Sequence, residues 1–296
     1  MYLSFINELI VIMERYGVKI KMFADDAKLY AEIISITDVT KLQTALDALV
    51  EWAELWQLTV AIDKCCILNV GKIPPSIVAN YSINNHVLPV VESCRDLGIT
   101  VSRDLSPRLH INAIVLKAHQ RANMILRCFI TRDLNTLLRA FVVYVRPLLE
   151  FNSVVWSPAL KCDIDSIERV QRRFTKRLPG LKFCSYADRL NRLDLISLEM
   201  RRLHTDLITC YKIVFGIIAI NFDDFFMLSP SEITRGHQYK LYRQRGDVCI
   251  RENFFNIRIV NVWNSLPSDI VDFNSLTAFA RTVKMVDFSD LMKMSA

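Results

Sequence analysis

The chain has 296 residues, and 52% of them are hydrophobic, enough to build a core. With only 7 glycines it is neither a low-complexity chain nor a glycine-loop nucleotide binder. The net charge of +6 is uneven: residues 1–100 carry 8 basic and 12 acidic side chains, and residues 101–296 carry 29 and 19, which fits an acidic site in front of a polyanion-binding surface, or two solvated surfaces of opposite sign.

The first readable element spans Val18 to Ile33. Val18, Ile20 and Met22 alternate with Lys19, Lys21 and Phe23, and Ala27, Leu29, Ala31 and Ile33 alternate again. This pattern predicts a β-hairpin with Asp25 and Asp26 at its tip. A helix comes next over about Asp38–Gln57, capped by Thr37 or Asp38, with Leu42, Ala45, Leu46, Leu49, Ala53 and Trp56 on one face. Leu58 to Val70 reads as β-like, ended by Gly71 through Pro75. Two short strands are expected around Val87–Val91 and Leu97–Val101, joined through Ser93-Cys94-Arg95-Asp96.

From Ser106 the pattern turns helical. Ser106-Pro107 predicts a cap with proline in the first turn of a helix reaching about Phe129 and burying Leu109, Ala113, Leu116, Ala122, Ile125 and Phe129. Another helix is expected over Leu134–Val145, stopped by Arg146-Pro147. A third starts at Asp163, and a long one covers Ser197 to Ile218. The eight cysteines show no zinc spacing and read as reduced, mostly buried thiols. The sequence shows no signal peptide, and Ile213–Ile220 is too short to span a bilayer. An intracellular protein without a membrane partner is expected.

Adjacent carboxylates on a tight hairpin can hold hard divalent cations such as Mg²⁺, although an Asp pair in a turn is ordinarily only a turn. On the helix from Asp163, Arg169, Arg172, Arg173, Lys176 and Arg177 share one face at 100° per residue. Ile164, Ile167, Val170, Phe174 and Leu178 share the other, and only Glu168 lies near the cations. Such a stripe suits a phosphate backbone better than a solvated face, which would mix signs. Residues 103–146 add eight basic side chains against Asp104 and Asp133. Tyr186, Trp156 and Trp263 could stack on bases, but core positions suit them better.

Phe23-Ala24-Asp25-Asp26 resembles the (F/Y)-A-D-D motif of reverse transcriptases, and the later motifs resemble the LINE-type (non-LTR), jockey-like branch in order. Leu49 to Trp56 is similar to that family's Trp-bearing palm helix. Asp63-Lys64-Cys65 is similar to its N-x-x-K-C motif, with Ala61 where Asn is usual. Arg95-Asp96-Leu97-Gly98-Ile99 resembles its primer-grip hairpin. Tyr144 to Phe151 with Val155-Trp156-Ser157-Pro158 resembles its V-R-P-x-L-E-Y and W-x-P block, and Ile167 to Arg173 its I-E-x-V-Q-R-R helix. Tyr186–Leu190, Ser197–Arg202 and Arg258–Pro267 resemble its Y-x-x-R-L, S-L-E-x-R-R and W-N-x-L-P stretches.

The resemblance implies an α+β fold: a partial palm of antiparallel strands plus helix over 1–102, a helical thumb over 103–182, and a mostly helical extension over 183–296. It implies RNA-directed DNA polymerase chemistry with Mg²⁺, an RNA template, a DNA primer and dNTPs, in the nucleus and cytoplasm. Asp25 would be the main metal ligand and Asp26 a supporting carboxylate. Lys64 would lie near the nucleotide phosphates, and Asp96, Leu97 and Gly98 would hold the primer end. Ser4 to Leu9 resembles the tail of the family's P-Q-G-S segment, so the fingers, a partner Asp and the P-Q-G-S itself are expected to be missing. The expectation is therefore a polymerase fragment inactive alone, or a non-catalytic nucleic-acid-binding module derived from one. Apolar surface left open on the partial palm is expected to favour self-association.

Overall fold

The computed structural model describes residues 2–71, 77, 79–230, 236–244 and 249–293. Helix α1 (Tyr2–Arg15) turns through Gly17, whose φ of +70° suits glycine, into β1 (Lys19–Phe23). β1 pairs antiparallel with β2 (Asp26–Tyr30), from Lys19↔Tyr30 to Phe23↔Asp26. The expected hairpin is there. α2 (Ile36–Leu55) starts earlier than expected: Ser35 is its N-cap, and Asp38 sits at the third helical position and completes the capping box. The sequence pattern missed this because Thr37 and Asp38 also look like caps.

The chain divides into two compact units, residues 1–97 with 101–105, and residues 98–100 with 106–296. In the first, Leu9, Met13, Val18 and Ile20 pack with Ala45, Leu49, Trp52 and Ala53 of α2. Leu46 turns to a second cluster with Tyr81, Ile83 and Leu88. The expected β character of Leu58–Val70 is corrected: Ile62–Lys64 is a 3-10 turn, and only β3 (Ile67–Leu68) is strand. The turn forms because the Lys64 and Cys65 amides donate to the carbonyls of Ala61 and Ile62. Of the expected stop at Gly71–Pro75, residues 72–75 lie outside the described residues.

β4 (Ser82–Ile83) and β5 (His86–Val87) form an antiparallel hairpin, with Asn84 and Asn85 both at positive φ. The Gln43 amide of α2 completes it, donating to the Ser82 carbonyl and accepting from the Ser82 N–H, both at 2.9 Å. β6 (Val90–Val91) pairs parallel with β3, so the small sheets are not all antiparallel as expected. β7 (Ser93–Asp96) and β8 (Ile99–Ser102) pair around Leu97-Gly98. The expected linker Ser93–Asp96 is thus a strand, and Leu97-Gly98 is the turn.

The second unit is helical: α3 (Arg108–Cys128), α4 (Leu134–Tyr144), α5 (Arg146–Glu150), α6 (Ser153–Trp156), α7 (Lys161–Lys176), α8 (Tyr186–Arg192), α9 (Leu198–Val214), α10 (Cys249–Glu252), α11 (Phe255–Asn264) and α12 (Leu276–Thr282). Pro147 does not only stop α4; it sits in the first turn of α5. One core joins α3, α4 and α7 through Ala118, Ile125, Phe141, Ile167, Val170 and Phe174. Another gathers Leu207, Tyr211, Trp263, Phe279 and Val283 around α9, α11 and α12.

The expected buried face of α3 is corrected. Leu109, Ala113 and Leu116 are exposed, while His110, Ile111, Val115, Ala118, Ala122, Ile125 and Leu126 are buried. At 100° per residue Leu109 and Leu116 lie opposite Ala118 and Ala122, so they could not share a face with them. The cysteines also differ from expectation. Among those described, Cys210 is buried, Cys66, Cys128 and Cys162 are exposed, and all are free thiols. Helices with small, separate two-stranded sheets make this a mixed helix and strand fold, compatible with α+β. No described helix is long and apolar enough to cross a membrane.

Candidate functional site

Asp25 is the second residue of the two-residue turn between β1 and β2, and Asp26 opens β2 opposite Phe23. Ala24, the first turn residue, has φ +53° while Asp25 does not share the left-handed region, the sign pattern of a II′ hairpin. Glycine usually fills that position; alanine there costs about 1–2 kcal/mol. Such strain often accompanies functional sites. Both carboxylates are exposed, as is Phe23.

Magnesium commonly takes one or two carboxylates and completes its octahedron with water and substrate phosphate. The two carboxylates are of the chemical type that such an ion takes. A two-metal centre asks for more, and among the described residues no group of three His, Cys, Asp or Glu is arranged to hold a metal.

Lys64 ends the 3-10 turn with its side chain exposed. The Leu97-Gly98 turn has φ +45° and +89°, the doubly left-handed pattern of a I′ hairpin. A Cβ on Gly98 would stand 3.2 Å from the Phe151 ring, which would have to give by a few tenths of an ångström, so the positive φ is the main reason for glycine there. Asp96, the residue before the turn, accepts from Lys28 of β2. The F-A-D-D hairpin and the strand leading into the expected primer grip are thus joined, a pairing the sequence did not announce.

The basic stripe on α7 is largely as expected, with two corrections. Arg169, Arg173, Lys176 and Arg177 are exposed, and Ile164, Ile167, Val170, Phe174 and Leu178 are buried. Arg172 is not free on the stripe: its guanidinium lies 4.9 Å from the centre of the Tyr186 ring, and its Nε is buried without a partner. Glu168 is near Arg172, as expected, but it is fully buried and so lies off the exposed face of the stripe. One residue before Arg169, it points 100° away from it, into the core.

Glu168 anchors a polar cluster. Its Oε1 accepts from the Tyr186 hydroxyl, and its Oε2 accepts from the Leu198 N–H at 2.8 Å, at the N-terminus of α9. Burial pushes the Glu168 carboxyl up, against the pull of Tyr186 and Arg202, and the Tyr186 phenol is pushed up by burial and by Glu168. Gln171 Nε2 donates to the Tyr186 hydroxyl at 3.0 Å and to the Ile196 carbonyl at 3.1 Å. Arg189 flanks the same ring at 5.4 Å. Tyr186 is therefore a structural post. Trp156 and Trp263 are buried, as their core reading required.

The stripe is one wall of a groove. Between α3 and α7 lies a cavity of about 510 Å³, lined by His119 and Asn123 from α3 and by Arg173, Lys176 and Arg177 from α7. Arg177 Nη1 donates to Asn123 Oδ1 at 2.7 Å and so fixes its guanidinium across the groove. Burial, then Arg173 and Arg169, push the His119 imidazole below its ordinary value. The sequence reading missed His119 and Asn123. Their signal was available in the i, i+4 spacing beside the buried Ala118 and Ala122.

No protein-family model matches the chain, and no solved structure matches it significantly. Three curated proteins are similar to parts of it. The RNA-directed DNA polymerase from mobile element jockey of Drosophila funebris is 25% identical over 170 residues, 55% of this chain and 18% of that protein. Its Drosophila melanogaster counterpart is 25% identical over 172 residues, 57% of this chain and 19% of that protein. An uncharacterized Caenorhabditis elegans protein is 28% identical over 124 residues, 41% of this chain and 63% of that protein. The chain spans under a fifth of the jockey polymerases it matches. At low identity, over a little more than half its length, it is similar to a retrotransposon reverse transcriptase.

Proposed function

We propose that the chain is a reverse-transcriptase-related protein of a non-LTR mobile element, and that its second unit holds an RNA–DNA duplex against the basic wall of α7. The observation that carries this reading is the groove itself. Arg169, Arg173 and Lys176 of α7 and its C-cap Arg177 stand exposed on one side of a helix whose other side is core, and Arg177 is held across the groove by Asn123. A surface of one sign, with no acidic side chain lining that groove, favours phosphate. The similarity to the jockey polymerases supports the choice of duplex.

In this reading residues 1–102 act as palm, 103–182 as thumb and 183–296 as an extension, working in the nucleus and cytoplasm. Asp25 and Asp26 hold Mg²⁺ with the nucleotide, Lys64 stands by the dNTP phosphates, and the Asp96-Leu97-Gly98 turn steadies the primer end. Magnesium would supply charge neutralisation at the transferring phosphate. Among the described residues no group of three or more His, Cys, Asp or Glu side chains is arranged to hold a metal, and in this reading the chain by itself binds duplex without extending a primer. That makes a nucleic-acid-binding module the working form of the chain when isolated.

The test is a primer-extension assay on an RNA template with Mg²⁺, run beside a binding assay on the same hybrid. Saturable binding with no extension is expected. Extension abolished by Asp25→Ala would contradict the non-catalytic part, and failure to bind the hybrid would contradict the duplex-binding part.

A further inference from the structure

Cys65 and Cys66 follow the 3-10 turn that ends at Lys64, and the chain then enters β3. The Cys65 backbone is extended, with φ −79° and ψ 139°. Neighbouring side chains on an extended backbone point to opposite sides. Cys65 takes the inner side. It is half-buried, packs against the cluster of Leu46, Tyr81, Ile83 and Leu88, and its Sγ donates to the Ala61 carbonyl at 3.5 Å. Cys66 is left on the outer side, and its thiol is exposed.

The segment beside it carries a second thiol. The Ile67 N–H donates to the Pro89 carbonyl at 2.9 Å, and β3 pairs with β6 from Ile67↔Val90. The Gly71 N–H donates to the Arg103 carbonyl at 3.2 Å, and the Arg103 N–H donates to the Glu92 carbonyl at 2.9 Å. These bonds hold the strand after Cys66 along the stretch that leads through β6 into β7. Cys94 of β7 is half-buried, and its thiol donates a hydrogen bond to the Cys66 sulfur. Burial, then Cys66 and Asp96, push the Cys94 thiol up, so Cys94 keeps its proton while Cys66 meets solvent. Both residues belong to the first unit.

We propose that Cys66 and Cys94 form a redox modification site that closes to a reversible disulfide when hydrogen peroxide oxidises the chain. The exposed Cys66 sulfur, as thiolate, attacks one peroxide oxygen. The O–O bond breaks, and Cys66 becomes a sulfenic acid. The hydroxide that leaves takes up the proton Cys66 lost and becomes the first water. The Cys94 sulfur then attacks the Cys66 sulfur, and the S–O bond breaks. The displaced hydroxyl leaves with the Cys94 proton as the second water. The two thiols lose two electrons and the peroxide gains them. Because the thiols already touch, the bridge forms ahead of further oxidation of Cys66 to a sulfinic acid. This chemistry is independent of the reading of the chain as polymerase-related. Under that reading, the bridge ties the Lys64 turn to the strand that enters Asp96-Leu97-Gly98.

The test treats the reduced whole chain with hydrogen peroxide and reads the product by intact mass and peptide mapping without reductant. The chain should lose two of its eight thiols and two hydrogens of mass, and the map should hold a Cys66–Cys94 linked peptide. Dithiothreitol should restore both thiols. Cys66→Ser and Cys94→Ser should each abolish the bridge. In Cys94→Ser, Cys66 should stop at a sulfenic acid that dimedone traps. Cys65→Ser should leave the bridge intact, because that thiol faces the core. Cys66 is exposed and serine differs from cysteine by one atom, so its variant tests the chemistry without disturbing packing. A Cys65–Cys66 bridge, a bridge between two chains, a sulfinic acid at Cys66 with Cys94 still free, or thiols left untouched would each overturn the proposal.

Discussion

Lys28 Nζ donates to Asp96 Oδ2, so the strand that opens at Asp26 is tied to the strand that ends at Leu97-Gly98. The two stretches carry the carboxylate pair and the expected primer grip, and one ion pair gives them a common frame. Its side chains are 57% and 32% exposed, a setting in which ion pairs contribute about 0–1 kcal/mol. A double-mutant cycle with Lys28→Ala and Asp96→Ala should therefore show a coupling under about 1 kcal/mol at low salt, fading as salt is added. A larger, salt-insensitive coupling would mean the contact is structural in a way its exposure does not suggest.

Gly98 should resist substitution. Its φ of +89° and the Phe151 ring, 3.2 Å from where a Cβ would stand, act together. Gly98→Ala is expected to lower stability by about 1–2 kcal/mol, read as a lower urea midpoint with an unchanged slope. An unaltered midpoint would show that the turn relaxes freely.

Arg172 and Arg173 are neighbours with opposite assignments. Arg172→Ala should destabilise the helical unit by about 1 kcal/mol through lost contact with the Tyr186 ring, while leaving the salt dependence of duplex binding alone. Arg173→Ala should do the reverse. Tyr186→Phe strips a donor from buried Glu168 and should cost about 1.5–3 kcal/mol. Denaturation and hybrid binding measured on all three variants separate the roles, and identical effects of Arg172→Ala and Arg173→Ala on both would refute the division.

His119 gives a pH signature. Burial, Arg173 and Arg169 hold its pKa below the ordinary 6.5, so it is neutral at pH 7 in the free protein. Phosphate bound in the groove offsets the two arginines and raises that pKa, so binding takes up protons. Duplex affinity should accordingly rise as pH falls below about 6.5, and His119→Gln should flatten the trend. An affinity that falls on acidification in the same window would contradict phosphate occupancy of this groove.

Periodicity made the β1–β2 hairpin legible, because Lys19, Ile20 and Lys21 alternate cleanly around an Asp pair that cannot continue the pattern. It also made the two faces of α7 legible. It failed on α3, where Leu109 and Leu116 are as apolar as the residues that are buried, and only tertiary packing chooses the side. It failed between Leu58 and Val70, where apolar residues ride on a 3-10 turn closed by backbone bonds that leave no mark in composition. The Glu168 cluster was hidden for another reason. Its members, Tyr186, Gln171 and the Leu198 N–H, come from three helices, and a charged residue in a basic stretch reads as surface until its partners are known. Ordered short motifs carried the family resemblance, and the similarity to the jockey polymerases supports that part at low identity.

Duplex binding by α7 is tested most directly by hybrid affinity across a salt series, for the unaltered chain and for Arg173→Ala, Lys176→Ala and Arg177→Ala combined. Each phosphate contacted contributes about −0.9 to the log–log slope on B-form DNA, a rough guide for a hybrid. A slope of several units that shrinks by about two to three in the combined variant is the predicted result. No binding, or a slope indifferent to the three changes, would contradict it and leave the resemblance as a record of ancestry alone.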